Sequence, residues 1–413
     1  MDMTDTNHIK AAPLSEPMPI AALLALAMTG FICIASETLP AGLLPLIAND
    51  LNISNALAGQ TVTAYALGSL LAAIPLTIAT AGWRRRRVLL LTIAGFMVSN
   101  AITAHSSNFW LTIGARLCAG ASAGLAWSLL AGYARRMVAE HQQGKAMAIA
   151  MVGTPVALAL GVPLGAWLGN AFGWRHAFDI MTGLGALLVA WVLVKVPDYP
   201  GQGAHERRSM GAVFTTPGVR PVLATVILWM LAHNVLYTFI APFIALAGLA
   251  GSIDIVLMTF GMAALAGIWV AGRMVDRQLR LAVLSSLTIF ALVSLLFIYA
   301  SDSAVAIYVG VSVWGVTFGG AATLLQTALA DSAGNGADVA LSMNVVAWNS
   351  AIAGAGVLGG VLLNTWGAAA FPWAVLGLTM AGLLVAWSAR AHGFTAGPRS
   401  GSSSSSSSSS SSH

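Results

Sequence analysis

Two side chains of opposite charge interrupt long apolar runs in this chain. Glu37 stands inside "ASETLPAGLLPLI" (residues 35–47), and Arg116 opens "RLCAGASAGLAW" (residues 116–127). A charge in an apolar medium costs at least a few kcal/mol, so such residues mark function by default. Burial favours the neutral form of a carboxyl group and a nearby cation the ionised form. A group poised between the two can take up and release a proton, whereas an arginine stays cationic. If the two runs are helices of opposite direction, the depths of Glu37 and Arg116 differ by roughly 5 Å, within reach of a direct or water-bridged pair. Proton coupling is the chemistry expected of that pair. A fixed charge toward a substrate, or a purely structural hydrogen bond, is the competing role for Glu37.

Further polar and aromatic residues lie in other apolar runs. His233 and Tyr237 are four apart and share one helical face. His233 is a second candidate for proton or substrate contact, against a plain packing role. Gln60, Thr63, Tyr65, Trp127, Asn234, Thr238, Asn344, Trp348 and Asn349 complete the set. Rings stack on planar faces and amides bind hydroxyls, so together they suit a small, hydroxylated or weakly polar organic molecule. Each taken singly could equally join two helices.

The elements that must position these residues follow from composition. Of 413 residues, 58% are hydrophobic and 8% charged, against about a quarter charged in a soluble domain. Such a chain needs a lipid exterior. Apolar runs long enough to cross a bilayer recur about twelve times between residues 20 and 390. A polar gap at 197–219 separates a first bundle of six, residues 20–196, from a second, residues 220–390. Residues 1–19 are expected to be a disordered cytoplasmic N-terminus without the features of a cleaved signal peptide. Residues 391–413, ending in a serine run, are read as a disordered tail. Arg84 to Arg87, Arg135, Arg136, Lys145, Lys195, Arg207, Arg208, Arg220, Arg273, Arg277 and Arg280 fall on one side, and Arg175 on the other. That bias puts both termini and the central loop in the cytoplasm. The scattered bases exclude a nucleic-acid face. Cys33 and Cys118 read as core residues. "GAGVLG" (residues 354–359) lacks the preceding strand a dinucleotide loop needs. Neither a nucleotide-binding loop nor a zinc-protease signature is present, so no cofactor, metal site or enzymatic role is expected.

The motifs carry a family resemblance. "RLCAGASAGLAW", "GTPVALALGVPLG" (residues 153–165), "GWRHAF" and "GRMVDRQLR" (residues 272–280) resemble the major facilitator superfamily. "GVPLG" is similar to the antiporter motif of its twelve-helix drug:proton antiporters. "ETLPAGLLPLIA" and "AHNVLYTFIAPFI" resemble its sugar-efflux and arabinose-efflux-like branch. In "TIATAGWRRRRVLL" the acid of the first loop signature is absent, with Ala81 about there. The resemblance implies an all-α membrane protein, two pseudo-symmetric six-helix bundles working by alternating access. It also implies a monomer in a bacterial inner membrane. Gly153, Pro155, Gly161, Pro163 and Gly165 are expected to serve packing or gating, and Asp276 and Arg277 a gate at the loop after span eight. Arg84 to Arg87 are expected to serve insertion and contact with anionic lipid. The combined expectation is proton-coupled efflux of a small molecule such as a sugar, nucleoside or drug, with protons and membrane lipids as the other partners. A proton-linked importer or facilitator is the competing reading. A non-transporting membrane sensor or scaffold is the reading from another class.

Overall fold

The computed structural model describes residues 17–80, 82–139, 143–201, 210–275 and 277–398. Asp276, Ala81, Arg207, Arg208 and the serine run lie outside the described residues. Among the described residues, twelve helices are long and apolar enough to cross a membrane. They are α1 (Ile20–Asp50), α2 (Asn55–Thr77), α3 (Arg85–His105), α4 (Phe109–Ala134), α5 (Ala148–Phe172) and α6 (Trp174–Lys195) in the first half. The second half has α7 (Val219–Thr238), α8 (Ala250–Met274), α9 (Leu279–Ala300), α10 (Ala304–Ala333), α11 (Val339–Trp366) and α12 (Ala368–Ser388). Inside the polar gap a short helix, Met210–Phe214, covers the start of α11 with Val213 against Gly336. Both ends of the described chain and this gap share one side of the bundle, called the terminus side below. The other is the far side.

Glycine sets the closest helix approaches, because a methyl group there would strike a backbone. In the first half, a Cβ at Gly120 would overlap the Tyr65 carbonyl, and one at Gly68 the Leu117 carbonyl. In the second half, Gly319 lies on the Ala264 carbonyl and Gly267 on that of Val316. Small residues allow this contact where no hydrophobic effect drives helices together. In α5, Gly153, Gly161, Gly165 and Gly169 form a groove for Ala27, Phe31, Leu39 and Leu43 of α1. Between Pro155 and Pro163, α5 widens into a π-helical turn, Ala157–Gly161, where the Val162 N–H donates to the Ala157 carbonyl. Pro163 has no N–H to continue the regular ladder, and a single π turn of this kind often marks a site that must move.

The two halves meet along α1, α2, α5, α7, α8 and α11. Gln60 Nε2 donates to the Gly356 carbonyl at 2.9 Å. Phe239 fills a notch between Gly59 of α2 and Gly359 of α11, where α7 breaks ahead of Pro242. Leu257 approaches Gly42, and Gly261 rests on the backbone of Leu158 and Ala159. These contacts lie at mid-depth or in the far halves of their helices. The seam is therefore closed toward the far side.

Each half is buckled on the terminus side by the segment after its sixth helix. In the first half Arg84 pairs with Asp198, and the Arg86 N–H donates to the same carboxylate at 3.2 Å. The Arg85 N–H donates to the Tyr199 carbonyl at 2.9 Å, and Tyr133 Oη to that of Pro197 at 2.7 Å. In the second half Arg280 donates to the carbonyls of Ala386, Trp387 and Phe394. The expected lipid role of Arg84 to Arg87 is thus incomplete, since at least Arg84 and Arg85 hold this buckle.

Candidate functional site

Glu37 and Arg116 are the carboxylate and the guanidinium among the buried described side chains, at 9% and 0% exposure. The geometry between them differs from a side-chain pair. Arg116 Nη1 donates to the Ser36 carbonyl at 2.6 Å, Nη2 to the Glu37 carbonyl at 3.2 Å, and Nε to the Thr61 carbonyl at 3.0 Å. The physical reason is Pro40. It lacks the N–H that would satisfy the carbonyl four residues earlier, that of Ser36. The fork-shaped guanidinium supplies that bond and two more at fixed angles. Its plane also lies over the Tyr65 ring, 4.8 Å from the centroid.

The same stretch of α1 is held elsewhere. Tyr65 Oη donates to the Cys33 carbonyl at 2.8 Å, and Asn100 Nδ2 to Ser36 Oγ at 3.1 Å. With its backbone fixed on several sides, Glu37 keeps its carboxylate free. That carboxylate makes no hydrogen bond or ion pair among the described residues. It belongs to α1, one of the seam helices, and is 9% exposed. A fixed backbone with an unpartnered carboxylate at the seam is suited to exchanging a proton or contacting a polar ligand.

On the opposite wall His233 sits among rings. It stacks on Phe318 at 3.6 Å between centroids with planes 8° apart, and lies nearly parallel to Tyr237 at 5.3 Å. Phe260 and Trp314 close the cluster. Trp314 Nε1 donates to His233 Nδ1 at 3.1 Å.

The other residues singled out in the sequence divide into groups. Tyr65 is sealed beneath Arg116, and Gln60 closes the far-side seam. Trp127 lies over Gly30 of α1, on the terminus side of Glu37. Trp348 packs against the cluster that Val62 and Ala66 of α2 form with Ile352 and Ala353 of α11. Asn234 and Asn349 donate to the carbonyls four residues before them. Thr63 Oγ1, Thr238 Oγ1 and Asn344 Oδ1 are buried without partners. They sit on α2, α7 and α11, three of the seam helices. Arg277 is exposed in the turn before α9, beside Asp276, which is outside the described residues.

Sequence reasoning missed Trp314, Phe318 and Phe260. It also missed the acid that replaces the absent loop acid, Asp198. One signal was available for Trp314: it directly precedes Gly315, and Gly315 and Gly319 repeat the spacing of Gly120 and Gly124.

Twelve spanning helices in two halves, with a polar seam between them, define a multi-pass membrane transporter. The family model described as Major Facilitator Superfamily matches residues 26–356, and the chain belongs to that superfamily. It is a transporter and not an enzyme. The chain is 29% identical over 353 residues to the protein named "Purine ribonucleoside efflux pump NepI" of Salmonella enteritidis PT4, covering 84% of this chain and 88% of that protein. The protein of the same name from Salmonella typhimurium LT2 matches to the same extent. Among solved structures, the crystal structure of the human organic anion transporter MFSD10 (TETRAN) superposes with a TM-score of 0.67 at 17% identity. The match covers 90% of this chain and all of that one.

Proposed function

We propose that the protein is a proton-coupled exporter of purine ribonucleosides or closely similar hydroxylated heteroaromatic molecules. The observation that carries the coupling is the carboxylate of Glu37, buried at the seam, free of side-chain partners, on a backbone that Arg116 holds still. A group that faces a seam alternately open to either side can load a proton on one side and release it on the other. The ring-rich wall around His233 and Tyr237 suits a planar base, and the amides and hydroxyls of the seam suit a ribose. The name carried by the Salmonella relatives points the same way.

The surplus of arginine on the terminus side supports a cytoplasmic placement of that side, in a bacterial inner membrane. Because the seam is closed toward the far side, the conformation is then one shut toward the outside of the cell. The test is flux in proteoliposomes with a labelled purine ribonucleoside. An acid interior drives accumulation if protons leave as substrate enters, which is antiport. Accumulation driven instead by an acid exterior would make the protein an importer, and equilibration without accumulation a facilitator.

A further inference from the structure

We propose that His233 is a fixed hydrogen-bond donor to the transported molecule, reading an acceptor atom of its base through Nε2–H. The proposal rests on the substrate reading above and assigns one contact within that site.

The argument begins with Trp314. An indole N–H donates and never accepts. Its bond to Nδ1 of His233, at 3.1 Å, therefore requires a lone pair on Nδ1. The proton of the neutral ring must then reside on Nε2, since the bond made by one ring nitrogen sets the state of the other. Adding a second proton at Nδ1 would turn an acceptor into a donor facing a donor. Trp314 is itself held by stacking on Phe290 at 6.0 Å and by Phe260 at 4.6 Å, and is 1% exposed. It cannot swing away without breaking the second half's core.

The ring orientation is fixed as firmly as the tautomer. Stacking on Phe318 and near-parallel contact with Tyr237 set the plane, and the Trp314 bond sets the rotation within it. That leaves Nε2–H. It makes no hydrogen bond among the described residues, yet it is not among the side-chain atoms sealed without a partner. A donor with neither a partner nor a seal keeps some access, on a side chain of α7, one of the seam helices, that is 4% exposed. A neutral, immobile N–H of this kind recognises a ring nitrogen or a carbonyl oxygen. Sites that hydrogen-bond a substrate group reject analogues lacking it, because the protein's own group is then left unpaired.

Binding to the purified protein in detergent tests this, with a purine ribonucleoside that carries a base carbonyl and a set of analogues, each with one ring nitrogen replaced by C–H or with the base carbonyl oxygen removed. Wild type is expected to bind one analogue about tenfold more weakly than the parent, the worth of one hydrogen bond between neutral groups. His233→Phe keeps the stack on Phe318 and removes the donor, together with the acceptor of the Trp314 N–H, so loss of discrimination and not loss of affinity alone is the deciding readout. It should bind the parent about tenfold more weakly and no longer distinguish that analogue. His233→Gln, which keeps an N–H, should still distinguish it. An unaltered parent affinity in His233→Phe, or retained discrimination, would overturn the proposal. Nitrogen-15 spectra of wild type, with the His233 signals identified by their loss in His233→Gln, give a readout independent of variant folding. They should show an unprotonated Nδ1 at neutral pH, and an imidazolium or an Nδ1–H tautomer would equally overturn it. If wild type binds no purine ribonucleoside, the substrate reading falls and this contact with it. If the parent binds but no analogue is distinguished, only the contact falls.

Discussion

Helices α4 and α10 occupy corresponding places in the two halves. Each packs on its neighbour, α2 or α8, through a pair of glycines four apart. Gly120 rests on the Tyr65 carbonyl as Gly315 rests on that of Phe260, and Gly124 and Gly319 follow on Ser69 and Ala264. The frame repeats, but what it carries does not. Four residues before Gly120 stands Arg116, and four before Gly315 stands Val311, fully buried. Tyr65, which bonds α1, has Phe260 as its counterpart, a ring without a hydroxyl. The second half thus lacks a buried cation at that place and has a histidine wedged among aromatic rings instead. The backbone frame fixes the fold in both halves, and the side chains set on it are free to differ: charge in the first, ring recognition in the second.

That division can be broken most severely at Arg116. Arg116→Lys keeps the charge but cannot reach three carbonyls in a fixed fork. At least one buried carbonyl is left open, at about 1–3 kcal/mol each. We expect folded yield and transport to fall nearly as far as in Arg116→Ala, measured by monodisperse recovery and flux. Normal behaviour of the lysine variant would mean that a positive charge alone suffices.

The shared frame predicts equal damage in both halves. Gly120→Ala and Gly315→Ala each push a methyl group into a neighbouring helix backbone, at about 1–3 kcal/mol. Thermal unfolding in detergent should show similar losses. A large loss in one half alone would end the claim that the frame repeats.

Trp314→Phe tests the contrast from the second half. It keeps an aromatic ring in the cluster and frees His233 Nδ1. Substrate affinity should fall by up to about tenfold, roughly 1.4 kcal/mol, with proton coupling intact. Loss of coupling without loss of affinity would move the proton pathway into the second half.

The smallest effect belongs to the terminus-side buckle. The hydrogen bond from Arg84 holds the carboxyl of Asp198 below the usual carboxylate range. Its contribution is therefore complete above about pH 4 and is lost as the pH falls through the lowered value. Asp198→Asn should lower stability by under about 1 kcal/mol near neutrality, as for other exposed pairs. Variant and wild type should converge in acid.

Much of this was legible in the sequence. Twelve spans, the division into two halves and the pairing of glycine with close approach follow from apolar length, one polar gap and glycine spacing. The buried Glu37 and Arg116 stand out because few charges interrupt the spans. Their relation did not, because depth along two helices says nothing about which atoms of a residue meet. Pro40 was in view, but the carbonyl it releases becomes significant only once α4 is placed beside α1. The partners of His233 were hidden for a similar reason: Trp314 and Phe318 are unremarkable residues of an apolar run until α10 packs on α7 and α8. Asp198 was read as part of a loop because an acid supplied from outside a motif leaves no trace in that motif's spacing.

The central claim is that Glu37 carries the proton that drives transport, and proton movement measures it most directly. Proteoliposomes holding a pH-sensitive dye, given a gradient of purine ribonucleoside and no initial pH gradient, should show protons moving against the substrate in wild type. Glu37→Gln should still exchange labelled for unlabelled substrate but move no protons and accumulate nothing. Substrate-driven proton flux in Glu37→Gln equal to that of wild type would contradict the account.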